Sequence, residues 1–382
     1  MSEKYGPVFT IHISNQPAVC FVGYDCMKEA FLDHNGLFGE RGHMGVSYQL
    51  FKDYGVLNSN GERWKQIRRF SINTLKNFGM GKRSIEERIQ GEAQCLVKEF
   101  RKRVGTPFDP TYLLSLAVSN VICSILLGER FDYEDEEFLN LLSLLKEIFQ
   151  ILTSKWGLLS YGLPKTLFYL LSPLRKTFGC LDKVRAFVEE SVKKHRETLD
   201  VHCPRDFIDC FLIKMDEEKN NPETEFHSDN LFSTIIDLFF AGTETTSTTL
   251  KYSLLILLDI GQPVARKAKQ EIDDVIGQDR CPSSDDRIKM PYTNAIVNEI
   301  QRVADIVPIG LPNRTTHDTI FRGYNIPKGT FTFHMLTSVL KDPKYFKYPN
   351  QFNPGNFLEE NGTFKKNNAF IPFSIGKKKI TF

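Results

Sequence analysis

Apolar positions repeat with the period of a helix along most of this chain, and with the period of a strand in only two regions. Near the start, 8–13 and 18–22 are β-branched runs separated by Ser14-Asn15-Gln16-Pro17, which predicts a hairpin. The second region, 319–333, reads as short strands turned by Pro327-Lys328-Gly329. Between them helices dominate. Ser84-Ile85-Glu86-Glu87 has the form of a capping box, and Ile85, Ile89, Ala93, Leu96, Val97 and Phe100 follow at helical spacing. The stretch 111–127 is apolar around most of its circumference and stops at Gly128, which predicts a buried helix. Helices are also predicted over 134–152, 181–199 and 205–215, followed by an exposed polar loop over 216–225. Ser228 is positioned to cap the longest pattern, which runs to Ile260 ahead of Gly261. At 1.5 Å per residue such a helix is roughly 50 Å long and crosses a whole domain. Two more helices are expected over 263–276 and 291–302, whereas 342–382 is rich in Pro, Gly and Asn and reads as coil. The pattern predicts a single, mainly α domain over 1–382 with a small β-portion.

Composition narrows the function classes. Of 382 residues, 41% are hydrophobic, enough for a large core. A net charge of +2 gives no global case for nucleic-acid binding or for an acidic partner. The eight cysteines are scattered, with no C-x-x-C pair and no zinc spacing, so they read as free thiols in a reducing compartment. No window has the length and apolarity of a membrane span. The 31 phenylalanines suit a large apolar interior or pocket.

Three segments carry chemistry. Within the longest helix, Ala241-Gly242-Thr243-Glu244-Thr245-Thr246 places a glycine and three threonines where propensity favours Ala, Leu or Lys. Mid-helix Gly costs about 1 kcal/mol relative to Ala, and threonine hydroxyls bond back onto the preceding turn. Either close packing against a neighbouring helix or a functional distortion accounts for that cost. Glu299-Ile300-Gln301-Arg302 sets an acid and a base at i, i+3 on one helical face. Trp64 and Arg68, at i, i+4, share a face, and an indole N–H beside a guanidinium suits a carboxylate.

Together these segments resemble the cytochrome P-450 superfamily. A-G-T-E-T-T is similar to its distal haem-pocket motif, E-I-Q-R to its E-x-x-R brace and W-K-Q-I-R to its W-x-x-x-R propionate clamp. Ser59-Asn60-Gly61, the segment 77–86 and Phe131-Asp132-Tyr133 resemble family 2, the microsomal drug- and lipid-oxidising group, and the likeness runs from about residue 5 to residue 378. The resemblance implies the P-450 fold, haem as cofactor, and oxygen insertion into apolar molecules such as steroids, fatty acids including arachidonate, and xenobiotics. It implies Thr245 and Glu244 as the distal proton relay beside Ala241 and Gly242. Trp64, Arg68, Arg41 and Lys378 would hold the cofactor, with Glu299 and Arg302 bracing the core beside it. Substrate contacts would come from Leu57, Phe239, Phe240, Val307, Ile309 and Gly310. It further implies the cytoplasmic face of the endoplasmic reticulum membrane, an NADPH-cytochrome reductase flavoprotein and cytochrome b5 as electron donors, and Lys65, Arg69, Lys76, Lys82 and Arg83 on the docking face.

The likeness also has departures. The family's F-x-x-G-x-R-x-C-x-G motif appears as Phe373 to Phe382, with Lys378 at the arginine position and Ile380 at that of the iron-ligating cysteine. None of the eight cysteines is near in sequence, so no metal ligand is assigned. Asn356 replaces the basic residue that joins the E-x-x-R network, which predicts a weaker network, and Asn313 stands where relatives often have a propionate-binding histidine. The likeness further implies that both ends fall short of the family's length, omitting its membrane anchor and the helix after the cysteine loop. Two outcomes are expected: a catalytically impaired enzyme, or a non-catalytic scaffold that binds apolar ligands or partners.

Overall fold

The computed structural model describes residues 1–376 apart from 15, 35, 43–44 and 79–82. The longer helices are α1 (Gly61–Asn77), α2 (Arg83–Arg101), α3 (Thr111–Leu126), α4 (Glu136–Thr153), α5 (Ser172–Glu197), α6 (Phe207–Glu217), α7 (Ser228–Asp259), α8 (Gln262–Val275) and α9 (Pro291–Ala304). Strands β1 (Val8–Ile13), β2 (Gln16–Val22), β3 (Glu40–Arg41), β4 (Asn313–Arg314) and β7 (Phe331–Met335) form one sheet, in the order β1-β2-β7-β4-β3. β5 (Thr319–Phe321) and β6 (Tyr324–Ile326) make a separate hairpin.

The helical reading holds, with shifts at several ends. The α2 helix opens at Arg83, one residue ahead of the expected cap. The helix expected over 181–199 starts at Ser172, where Pro173 occupies the first turn without cost because its missing N–H has no intrahelical partner there. Ser228 is not a cap: it is the first helical residue of α7, behind His227, and no side chain caps that end. Among the longer helices, side-chain caps are Asp135 on α4 and Asp206 on α6, each accepting from an amide three residues on. Pro327 to Gly329 turns the chain between the short strands β6 and β7, as expected, but does not close the β5–β6 hairpin. Arg322 and Gly323 do, both at positive φ, and the Pro327 turn carries the chain across to the larger sheet.

Two apolar cores result. One gathers α1 and α3 to α7 around Phe138, Phe207, Phe211 and Phe232. The other surrounds the sheet, where Phe21 meets Phe31, Phe38 and Phe321 edge-on with centroids 5.0–5.4 Å apart. Among the described residues no helix is long and apolar enough to cross a membrane, and every cysteine is a free thiol.

A buried ion-paired knot ties the sheet side to α9. Arg302 and Glu299 are both fully buried, and the guanidinium donates to both Glu299 oxygens at 2.7 and 2.8 Å. Its other donor directions go to the carbonyls of Leu340, Tyr348, Pro349 and Gln351. Glu299 accepts further from the Asn353 amide and from Asn356 Nδ2. Asn356 therefore joins the network as a neutral donor where the resemblance has a basic residue.

Candidate functional site

A cavity of about 500 Å³ opens where the two cores meet. Its walls are largely apolar. Ala241, Glu244, Thr245 and Phe240 reach it from α7, Leu57 from the loop before α1, and Val307, Ile309 and Gly310 from the segment after α9. Phe373 to Gly376 line another part of it, and Arg41, Asn313 and His334 reach it from the sheet.

Most expected substrate-facing residues thus share one space, with one correction. Phe239 is buried in the helical core and does not line the cavity, whereas Phe240, about 100° further round the helix, does. Gly242 does not face the cavity either. It lies where α7 packs on α3, and a Cβ there would overlap the Ile122 side chain. Helix packing accounts for the glycine, and the threonines carry the remaining departure from helix propensity. Thr245 Oγ1 donates to Ala241 O at 2.6 Å, and Thr249 and Ser253 repeat the bond one and two turns on, each at 2.7 Å. Burial raises the Glu244 carboxyl above its ordinary pKa, against the opposing charge of Lys146.

The cationic residues form a layer behind the sheet rim. Arg41 is buried, donates from Nε to Leu57 O at 3.1 Å and from Nη1 to Asn313 Oδ1 at 2.9 Å. Burial and the nearby charge of Arg68 pull its pKa down to about 10, while Asp237 opposes them. Trp64 and Arg68 do face the same way: the guanidinium lies 5.4 Å from the indole centroid. Neither lines the cavity, and Arg68 acts behind Arg41. Lys378 and Ile380 lie outside the described residues.

Three contributors had escaped the sequence reading. Asp237 Oδ2 accepts from the amides of Val56 and Leu57 at 2.7 and 2.8 Å, and Asn230 Oδ1 accepts from Gly55 N. These bonds pin the Leu57 wall onto α7, and burial pushes the Asp237 carboxyl up to about 7 despite them. The signal was a lone carboxylate in the apolar run Ile235-Ile236-Asp237-Leu238. His334 is buried on β7, its Nδ1 2.6 Å from Ser374 Oγ and its ring 3.6 Å from that of Phe31. Asn313, read as a departure, is fully used: it accepts from Arg41 and donates to Phe38 O at 2.7 Å.

A cluster of potential metal ligands, His195, Asp206 and Asp209, lies outside the cavity lining, and its atoms are committed. His195 bridges Ser191 O and Asp206 Oδ2, and Asp209 holds Arg205 with both oxygens.

Haem fits this donor set where it can be tested. The cavity is apolar, and Arg41 sits buried at its sheet rim. The whole chain agrees: residues 1–379 match the family described as Cytochrome P450. The sequence is 51% identical to cytochrome P450 2C8 of Homo sapiens, over 99% of this chain and 77% of that protein. It is 50% identical to cytochrome P450 2B2 of Rattus norvegicus and to cytochrome P450 2B19 of Mus musculus over the same shares.

Proposed function

The chain belongs to the cytochrome P450 family, and from that premise we propose a family 2 type haem-dependent monooxygenase lineage acting on apolar small molecules, with oxidation impaired in this sequence by Ile380. The observation that carries the reading is the apolar cavity walled by Ala241, Glu244 and Thr245 on one side and by Phe373 to Gly376 on another. Its lining suits steroids, fatty acids and xenobiotics, which gain by leaving water.

Bound haem supplies the iron chemistry that activates dioxygen. The residues of this chain do the rest. Leu57, Phe240, Val307 and Ile309 exclude water and hold an apolar substrate. Thr245 can release Ala241 O and turn its hydroxyl to the cavity, where it hands on a proton; Glu244, its carboxyl pKa raised, is the adjoining donor. Arg41 reaches the cavity and grips carboxylates through charge-assisted bonds, Trp64 and Arg68 support it without lining the cavity, and Lys378 would add a second cation. Glu299 and Arg302 hold the 340–356 backbone that supports the next segment. Ile380 offers no thiolate, so the electron push of the family's chemistry is lost.

Electrons would come from an NADPH-cytochrome reductase flavoprotein or cytochrome b5 at the endoplasmic reticulum surface. Exposed Lys65, Arg69 and Lys76 on α1 support an acidic partner. Lys82 lies outside the described residues, as does the side chain of Arg83. Ile380 also favours a second reading, an apolar-ligand scaffold without catalysis.

Both readings meet one experiment: the full chain is expressed with haem precursor, reduced and exposed to carbon monoxide. Haem should be retained without a thiolate-type Soret band, and Ile380→Cys should shift the band toward that type. A thiolate-type band in the unaltered chain overturns the impairment, and absence of haem leaves the scaffold reading.

A further inference from the structure

We propose that His334 and Arg41 form a carboxylate-binding pair on the sheet rim of the cavity, with His334 Nε2–H as the second donor beside the guanidinium. The inference rests on the ligand-binding reading above and assigns a role to a residue that no motif singled out.

Four observations converge. His334 lines the cavity, is only 4% exposed, and its Nε2 has no hydrogen-bond partner among the described residues. An unpaired buried polar atom is costly, and on a cavity wall it is placed to bond what enters the cavity.

Second, Nδ1 is engaged from behind by a hydroxyl that can donate to it. Ser374 has φ of 73°, a left-handed conformation uncommon for serine, and its hydroxyl lies 2.6 Å from Nδ1. With the hydroxyl donating to Nδ1, the ring's proton resides on Nε2.

Third, the ring is held. Phe31 lies against one side of it, and Gly310 approaches so closely that a Cβ there would stand 3.1–3.2 Å from His334. Gly310 N also donates to His334 O.

Fourth, the local charge selects the ligand. Burial, with the charge of Arg41 adding to it, disfavours protonation of His334; both residues line the cavity, and Glu244, the acid in the described lining, reaches it from α7. Asn313 meanwhile spends its side chain on Arg41 and Phe38 O. A neutral N–H and a guanidinium on one rim match a carboxylate, whose two oxygens each accept. That carboxylate is either a haem propionate or the headgroup of a fatty acid.

The test uses the full chain with His334→Leu and His334→Gln. Haem loss to excess apomyoglobin is timed for protohaem and for protohaem dimethyl ester. Binding of laurate and methyl laurate to the haem-free chain is measured by displacement of a fluorescent apolar probe. If the source is haem, His334→Leu releases protohaem about tenfold to hundredfold faster, His334→Gln falls between, and the ester is indifferent to both changes. If the source is a fatty acid, the same contrast appears between laurate and methyl laurate. A wild-type chain that takes up no haem but shows the laurate contrast overturns the haem reading and leaves the pair standing. Equal effects on acid and ester reduce His334 to a packing residue and overturn the pair, as does no effect in either arm.

Discussion

At position 242 the side chain is missing because Ile122 fills its place. Alanine there gains about 1 kcal/mol of helix propensity yet overpacks the α3–α7 contact by about 1–3 kcal/mol. Gly242→Ala should therefore lower the denaturation midpoint modestly in the native background. In an Ile122→Ala background it should be neutral or stabilising, and additivity of the two changes in a double-mutant cycle would sink the packing explanation. Residues such as this mark the boundary of what the sequence discloses. The A-G-T-E-T-T run was visible as a breach of helix propensity, but which residue serves packing and which the cavity depends on rotation about the helix axis. Phe239 and Phe240 differ by that rotation alone, and only one meets the cavity. His334 was invisible for another reason: one imidazole in the run Phe333-His334-Met335-Leu336 has no spacing to read.

Between elements, a buried charged latch joins the end of α5 to the start of α6. His195 Nδ1 donates to Ser191 O at 2.6 Å and Nε2 donates to Asp206 Oδ2 at 2.7 Å, an arrangement that needs both ring protons. Burial works against the charged ring, but hydrogen bonds to Asp206 and Ser191, with the charges of Asp206 and Asp209, raise its pKa above 6.5 on balance. A raised folded pKa means stability that is full below the unfolded value of 6.5 and is lost as pH climbs through the folded value. Denaturant midpoints should thus fall as pH rises above 6.5, and His195→Gln should flatten that fall; an unchanged pH slope in the variant would refute the latch. Helices such as α3 and α9 were legible because periodicity and end signals are local. The pairing of β2 with β7 was not, because a two-layer register across the whole chain leaves no local trace.

For the whole molecule, the Glu299–Arg302 knot is the joint between α9 and the backbone of residues 340–356. Removing one partner strands a buried charge, so Arg302→Leu should cost about 3–5 kcal/mol. Chemical denaturation reads this directly, and a loss under about 1 kcal/mol would contradict the knot's importance. The same joint explains why Asn356 suffices: most of the guanidinium's partners are backbone carbonyls, which the substitution leaves in place. The sheet adds a matter of timing. β2 ends at Val22 and its parallel neighbour β7 begins at Phe331, so one edge of β2 waits for its partner while the intervening chain is made. At ordinary synthesis rates of about 5–20 residues per second, that is roughly 15–60 s of exposure on the ribosome. An open edge of Ala18-Val19-Cys20-Phe21-Val22 is a template for foreign strands. The yield of folded protein should therefore depend on elongation speed and on holdase chaperones during synthesis, as much as on the stability of the finished structure.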